Sequence, residues 1–140
     1  MQGWPWKRPC GASEGEKMKN VLIVEDSKAI RSMMRVSFEE TGRFFAVEAG
    51  NGFEALKTLP TRRFDLIITD INMPDINGLE LISFVKSNAA YKEIPLIIVS
   101  TEKSEEDKKR GMALGASGYI VKPFKKEELV AMVNKVLEGK

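Results

Sequence analysis

The sequence predicts a parallel α/β fold, a (βα)5 sandwich of three layers with helices on both faces of one sheet. Three observations predict it. Short apolar runs recur five times along the chain, and three of them are near-continuous Val/Ile/Leu, as in parallel strands covered on both faces. Segments with helical periodicity separate them, which is the order of a βα alternation. The length of 140 residues suits one domain with a sizeable core.

Taken in order, the first strand is "NVLIVE" at 20–25, and the helix after Ser27 sets Ile30, Met33, Met34 and Phe38 on one face. "FFAVEA" at 44–49 follows, then a short helix opening at Asn51 with Phe53 and Leu56. "DLIITD" at 65–70 leads to a helix after Gly78 carrying Leu79, Ile82 and Val85. "PLIIVS" at 95–100 precedes a helix for which Ser104 is a good N-cap, with Asp107 three residues on and a stop near Gly115. "GYIVK" at 118–122 precedes the last helix, where Leu129, Met132, Val133 and Val136 share a face. Residues 1–17 have no period and mix Trp, Pro, Gly and Ser. They read as a flexible leader ahead of a domain at 18–140, with Trp4 and Trp6 as the only docking anchors it could offer.

Composition excludes several functions. A net charge of +2 with no concentrated basic stripe gives nucleic-acid binding no electrostatic support. No apolar run approaches the roughly 20 residues of a membrane helix, and residues 1–17 lack the apolar centre of a secretory signal. The single cysteine, Cys10, cannot close an internal disulfide, so a cytoplasmic location is the default expectation. Histidine is absent, which removes Ser–His catalysis, His–metal sites and an internal phosphohistidine together.

In a parallel sheet of this kind the functional crevice lies at the carboxyl ends of the strands. The first strand ends on Glu25 and Asp26, the third on Asp70, the fourth on Ser100 and Thr101, and the fifth on Lys122. The second ends on "EAGNG", offers nothing comparable, and is expected at the outer edge. Burying carboxylates is unfavourable without a cation or donors. Three carboxylates without His or thiolate favour a hard cation, Mg2+ above all. Lys122 and Ser100 supply the charge and the hydroxyl that a phosphoryl group needs, and a carboxylate can itself become the nucleophile. Each residue alone has a plainer account: Asp26 as a helix cap, Asp70 as a strand-end turn, Ser100 as a loop cap, Lys122 as a solvated strand end. Their coincidence on one edge favours a site.

"LIVED", "DINMPDINGLELI", "PLIIVS" and "GASGYIVKPF" together resemble the receiver domains of two-component response regulators over residues 19–140, the stand-alone chemotaxis type most of all. The resemblance implies the flavodoxin-like strand order 2-1-3-4-5. It implies Asp70 as phosphoacceptor, Asp26 as a direct Mg2+ ligand with Glu25 acting through water, and the Asn72 backbone carbonyl as a further ligand, with Mn2+ able to substitute. Lys122 would pair with the phosphoryl oxygens, Ser100 would hydrogen-bond them, and Tyr119 would turn inward as the switch aromatic. Asn72 and Glu102 would tune hydrolysis, in a combination similar to the faster-hydrolysing chemotaxis-type members. The Lys122–Pro123 bond is expected to be cis, since the chain must turn while keeping the ammonium aimed at the site. Two departures stand out: Glu25 replaces the commoner Asp, and Ser100 stands where Thr is frequent, losing a methyl that restricts its rotamer.

The implied protein is a signalling switch rather than an enzyme acting on external substrates. Its donor would be a sensor histidine kinase or a histidine phosphotransfer protein. Its output would be a downstream protein docking on the fourth helix, fifth strand and fifth helix, with no output domain expected after the last helix. A metal-dependent phosphatase would want an acid at position 72, which is Asn; a nucleotide or flavin binder would want a Gly-rich cradle where the chain has "EDSK". An inactive receiver used only for docking is opposed by the complete Asp26, Asp70, Ser100 and Lys122 set.

Overall fold

A computed structural model describes residues 18–73, 76–101 and 105–138. The expectations for the 1–17 leader, for Ser104 as a helix cap and for Glu102 lie outside those residues. The elements are β1 (Lys19–Val24), α1 (Lys28–Glu40), β2 (Phe44–Ala49), α2 (Gly52–Thr58), β3 (Leu66–Asp70), α3 (Gly78–Ser87), β4 (Leu96–Thr101), α4 (Glu105–Leu114), β5 (Gly118–Lys122) and α5 (Lys126–Glu138), with a 3-10 turn at Leu59–Thr61. All neighbouring strands pair in parallel, in the order β2-β1-β3-β4-β5. The expected strand order and the edge position of β2 are both found.

Side chains alternate across a strand, so each central strand feeds two cores. Leu22, Val24, Ile67 and Ile98 face the layer of α2 and α3, meeting Ala55, Leu81, Ile82 and Val85. Val21, Ile23, Ile68 and Val99 face the opposite layer, meeting Met34 and Phe38 of α1 and Leu129 and Val133 of α5. This double burial is why the strands read as continuous apolar runs.

The helices were less legible than the strands. Met33, placed by spacing on the inner face of α1, is 37% exposed, and Ser37 takes the buried position instead, with its hydroxyl donating to the Met33 carbonyl at 2.8 Å. In α2 the buried residues are Gly52 and Ala55, while Phe53 is 53% exposed; a helix this short buries only one narrow stripe. Gly115 follows α4 at φ 119°, a left-handed conformation suited to glycine, and ends the helix where expected. No helix among the described residues is long and apolar enough to cross a membrane.

Candidate functional site

Glu25 extends the β1 ladder by one step, its N–H donating to the Ala49 carbonyl at 3.1 Å. Ser27 is the N-cap of α1, accepting from the Ile30 N–H at 3.4 Å. The capping account of Asp26 is therefore replaced: the cap lies one residue on, and the Asp26 carboxylate is exposed beside the strand end. Asp70 closes β3 and is 4% exposed; Glu25 is 1% exposed. Oxygens from Glu25, Asp26 and Asp70 all lie within 4.8 Å of one another.

Lys122, at the end of β5, reaches across to both buried acids. Its ammonium is 3.1 Å from Glu25 Oε1 and 3.4 Å from Asp70 Oδ2. The hydrogen bonds of Glu25 fall on Oε2, which accepts from the Ser27 N–H at 3.1 Å and from Lys122 at 3.4 Å. Oε1 has no hydrogen-bond donor among the described residues, the close ammonium standing off the hydrogen-bonding direction. The Lys122–Pro123 peptide is cis, as expected.

One ammonium against three carboxylates leaves the cluster short of positive charge. Burial pushes the Glu25 carboxyl above its usual range, and the Asp70 charge pushes the same way; the Ser27 N–H and Lys122 oppose them. Burial likewise raises Asp70, against Lys122 and the Asn72 backbone N–H, while the Asp26 charge adds to the rise. Hard oxygen donors with unmet charge and a free lone pair on Glu25 Oε1 fit a divalent cation.

Ser100 lies near the end of β4, next to the register pair Asp70–Val99. It is fully buried, and its Oγ has no hydrogen-bond partner among the described residues. Tyr119 is on β5, 37% exposed, with the Lys108 ammonium 4.2 Å from its ring centroid. Asn72 is exposed just beyond Asp70. Glu25, Asp26, Asp70 and Lys122 are thus brought together, with Ser100 buried on the adjacent strand and Tyr119 facing outward.

Sequence reasoning missed two supports. The Arg31 Nη1 donates to the Glu25 carbonyl at 2.8 Å, a contact with backbone that no side-chain pairing pattern reveals. At Gly78 a Cβ would fall on the Asp70 carbonyl oxygen, so only glycine lets the start of α3 pack on the backbone of the acid. The Asn-Gly pair at 77–78 was its signal: Asn77 and Glu80 form a capping box there, at 2.9 and 3.0 Å.

Solved structures with the same fold and related sequence include the chemotaxis response regulator CheY4 of Vibrio cholerae. It is 40% identical with a TM-score of 0.81, covering 86% of this chain and 100% of that one. The receiver domain of a signal transduction histidine kinase from Syntrophus aciditrophicus is 34% identical with a TM-score of 0.79, covering 86% and 91%. A Francisella response regulator receiver domain is 32% identical with a TM-score of 0.77, covering 86% and 98%. The response regulator receiver domain family matches residues 21–134, and the chain belongs to that family.

Proposed function

We propose that this chain is a phosphorylation-dependent switch in two-component signalling, with Asp70 as the phosphoacceptor. The observation that carries the reading is the pairing of a buried carboxylate with a poised ammonium and, on the next strand, a buried hydroxyl lacking a partner among the described residues. Asp26, Asp70, Glu25 and the Asn72 carbonyl would hold Mg2+, and Mn2+ suits the same oxygen set. The bound cation supplies charge neutralisation for the transferring phosphoryl oxygens.

A carboxylate oxygen of Asp70 forms a bond to phosphorus as the P–N bond of a phosphohistidine breaks, and the donor imidazole leaves after taking up a proton. With no histidine in the chain, the donor is a partner kinase, a phosphotransfer protein or a small acyl phosphate, from which a P–O bond breaks instead and the carboxylate leaves. Lys122 holds the phosphoryl oxygens by charge, and the Ser100 hydroxyl donates to one of them. Asn72 and Glu102 would tune the hydrolysis of the phosphoryl group. The switched surface, α4, β5 and α5 with Tyr119, docks a downstream protein in the cytoplasm. Residues 1–17 contribute nothing to this chemistry.

Incubation with Mg2+ and acetyl phosphate tests the reading by intact-mass spectrometry. One phosphoryl group per chain is expected. It should be absent with EDTA or in Asp70→Asn, and retained when residues 1–17 are removed. Uptake by Asp70→Asn would overturn the assignment. Steady turnover of an added phosphomonoester would favour a phosphatase instead.

A further inference from the structure

We propose that Arg31 is a positioning residue for the metal-binding acids: it fixes the peptide plane between Glu25 and Asp26 and thereby sets where the Asp26 carboxylate stands. This rests on the reading of those acids as cation ligands.

Asp26 is exposed, and its carboxylate has no hydrogen-bond partner among the described residues. Its position therefore depends on the backbone on either side. On the upstream side the Glu25 N–H is held by the Ala49 carbonyl, and the Glu25 carbonyl is held by Arg31 Nη1 at 2.8 Å. On the downstream side the Ser27 N–H donates to Glu25 Oε2. Arg31 is the side chain in this set that comes from outside the Glu25–Ser27 turn, and it reaches the carbonyl from the first turn of α1.

The guanidinium is itself held. Its Nε donates to Glu48 Oε1 on β2 at 2.8 Å, and Arg35 Nη1 donates to Glu48 Oε2 at 2.9 Å, so both oxygens of Glu48 are engaged. The arrangement uses two differently directed N–H groups of one planar fork. Lysine carries the same charge but cannot reproduce that geometry. Outer supports of metal ligands act by orienting them, and their loss typically weakens metal binding by about 10-fold or more.

Charge and positioning predict opposite signs. A guanidinium near a cation site repels the cation, so by charge alone Arg31→Gln would tighten Mg2+ binding and Arg31→Lys would leave it unchanged. Positioning requires both to weaken it. The test is calorimetric titration of the full chain with Mg2+ alone, beside unfolding in EDTA and the amide shifts of Glu25 and Asp26 without metal. Arg31→Lys and Arg31→Gln are expected to lose about 10-fold in Mg2+ affinity. Glu48→Gln, which keeps the guanidinium but frees one of its ties, is expected to lose less in the same direction. The metal-free Glu25 and Asp26 amides should shift in all three. Should Arg31→Gln fail to fold, Arg31→Lys and Glu48→Gln decide the matter. Parent-like or tighter binding by the folded variants, while Asp26→Asn abolishes binding, overturns the role of Arg31 and leaves the metal site standing. If the parent chain binds no Mg2+, it is the site itself that is wrong.

Discussion

Ser100 and Asp70 carry opposite kinds of incompleteness, and both can be read by substitution. A buried hydroxyl with no partner among the described residues has given up its water contacts and gained no hydrogen bond from those residues in the resting state. Ser100→Ala is therefore expected to leave stability unchanged or raise it by up to about 1 kcal/mol in denaturant unfolding, while uncoupling partner binding from phosphoryl uptake. A clear loss of stability would mean that Oγ already has a donor or acceptor. Asp70 sits among like charges, with burial and the Asp26 charge both raising its carboxyl pKa. Asp70→Asn removes one of three carboxylates and leaves Lys122 its contact with Glu25. In EDTA at neutral pH the variant should be more stable than the parent, on the order of 1 kcal/mol. A drop in its unfolding midpoint would show the Lys122–Asp70 contact to be worth more than the repulsion it offsets.

At the scale of elements, the two secondary structures differed in how plainly they could be read. Every strand fell within about a residue of its expected bounds; for the central β1, β3 and β4 this is because a strand buried on both faces needs an unbroken apolar run, while the edge strands β2 and β5 keep exposed positions. Helix faces were read less well. Spacing marks which residues share a side of α1 or α2 but not which of them are covered: Ser37 is buried where Met33 is not, and Ala55 where Phe53 is not. The acids, Lys122 and Ser100 were legible since each ends a strand. Arg31 was not, because its partners are a carbonyl and a glutamate on a strand 17 residues away. The link from α1 to β2 has a pH signature. Arg35 first, then Arg31, hold the Glu48 carboxyl below its usual range. Its stabilising effect is thus present above the ordinary Glu value and is lost as pH falls through the lowered folded value. The pair is partly exposed, so Glu48→Gln should remove at most about 1 kcal/mol at neutral pH. It should also flatten the acid limb of a stability-against-pH curve. An unchanged acid limb would mean that the two arginines do not hold Glu48 in solution.

For the molecule as a whole, the question is how an event at Asp70 reaches a surface that a partner can read. The sheet offers a short route. Asp70 pairs with Val99 on β4, Ser100 pairs with Val121 on β5, and Tyr119 lies two residues back on β5. In the proposed switch, drawing the Ser100 hydroxyl toward a phosphoryl group on Asp70 would open space beneath the Tyr119 ring. In the resting arrangement that ring is outward, with Lys108 of α4 over its face and Lys108 also paired with Glu105 at 3.1 Å. A coupling of about 1–3 kcal/mol already changes partner affinity several-fold, which brings into play the Lys108–Tyr119 contact. Inward rotation of Tyr119 must break it, so the switch should be detectable on both elements at once. Adding Mg2+ and beryllofluoride is expected to shift NMR signals from Asp70 through Ser100 into α4 and β5, including Lys108 and Tyr119. Tyr119→Ala should weaken the response in α4 while leaving phosphoryl uptake at Asp70 largely intact. Shifts confined to the Glu25–Asp26 turn and the residues just after Asp70, with α4 and β5 silent, would mean that charge at Asp70 does not reach this face.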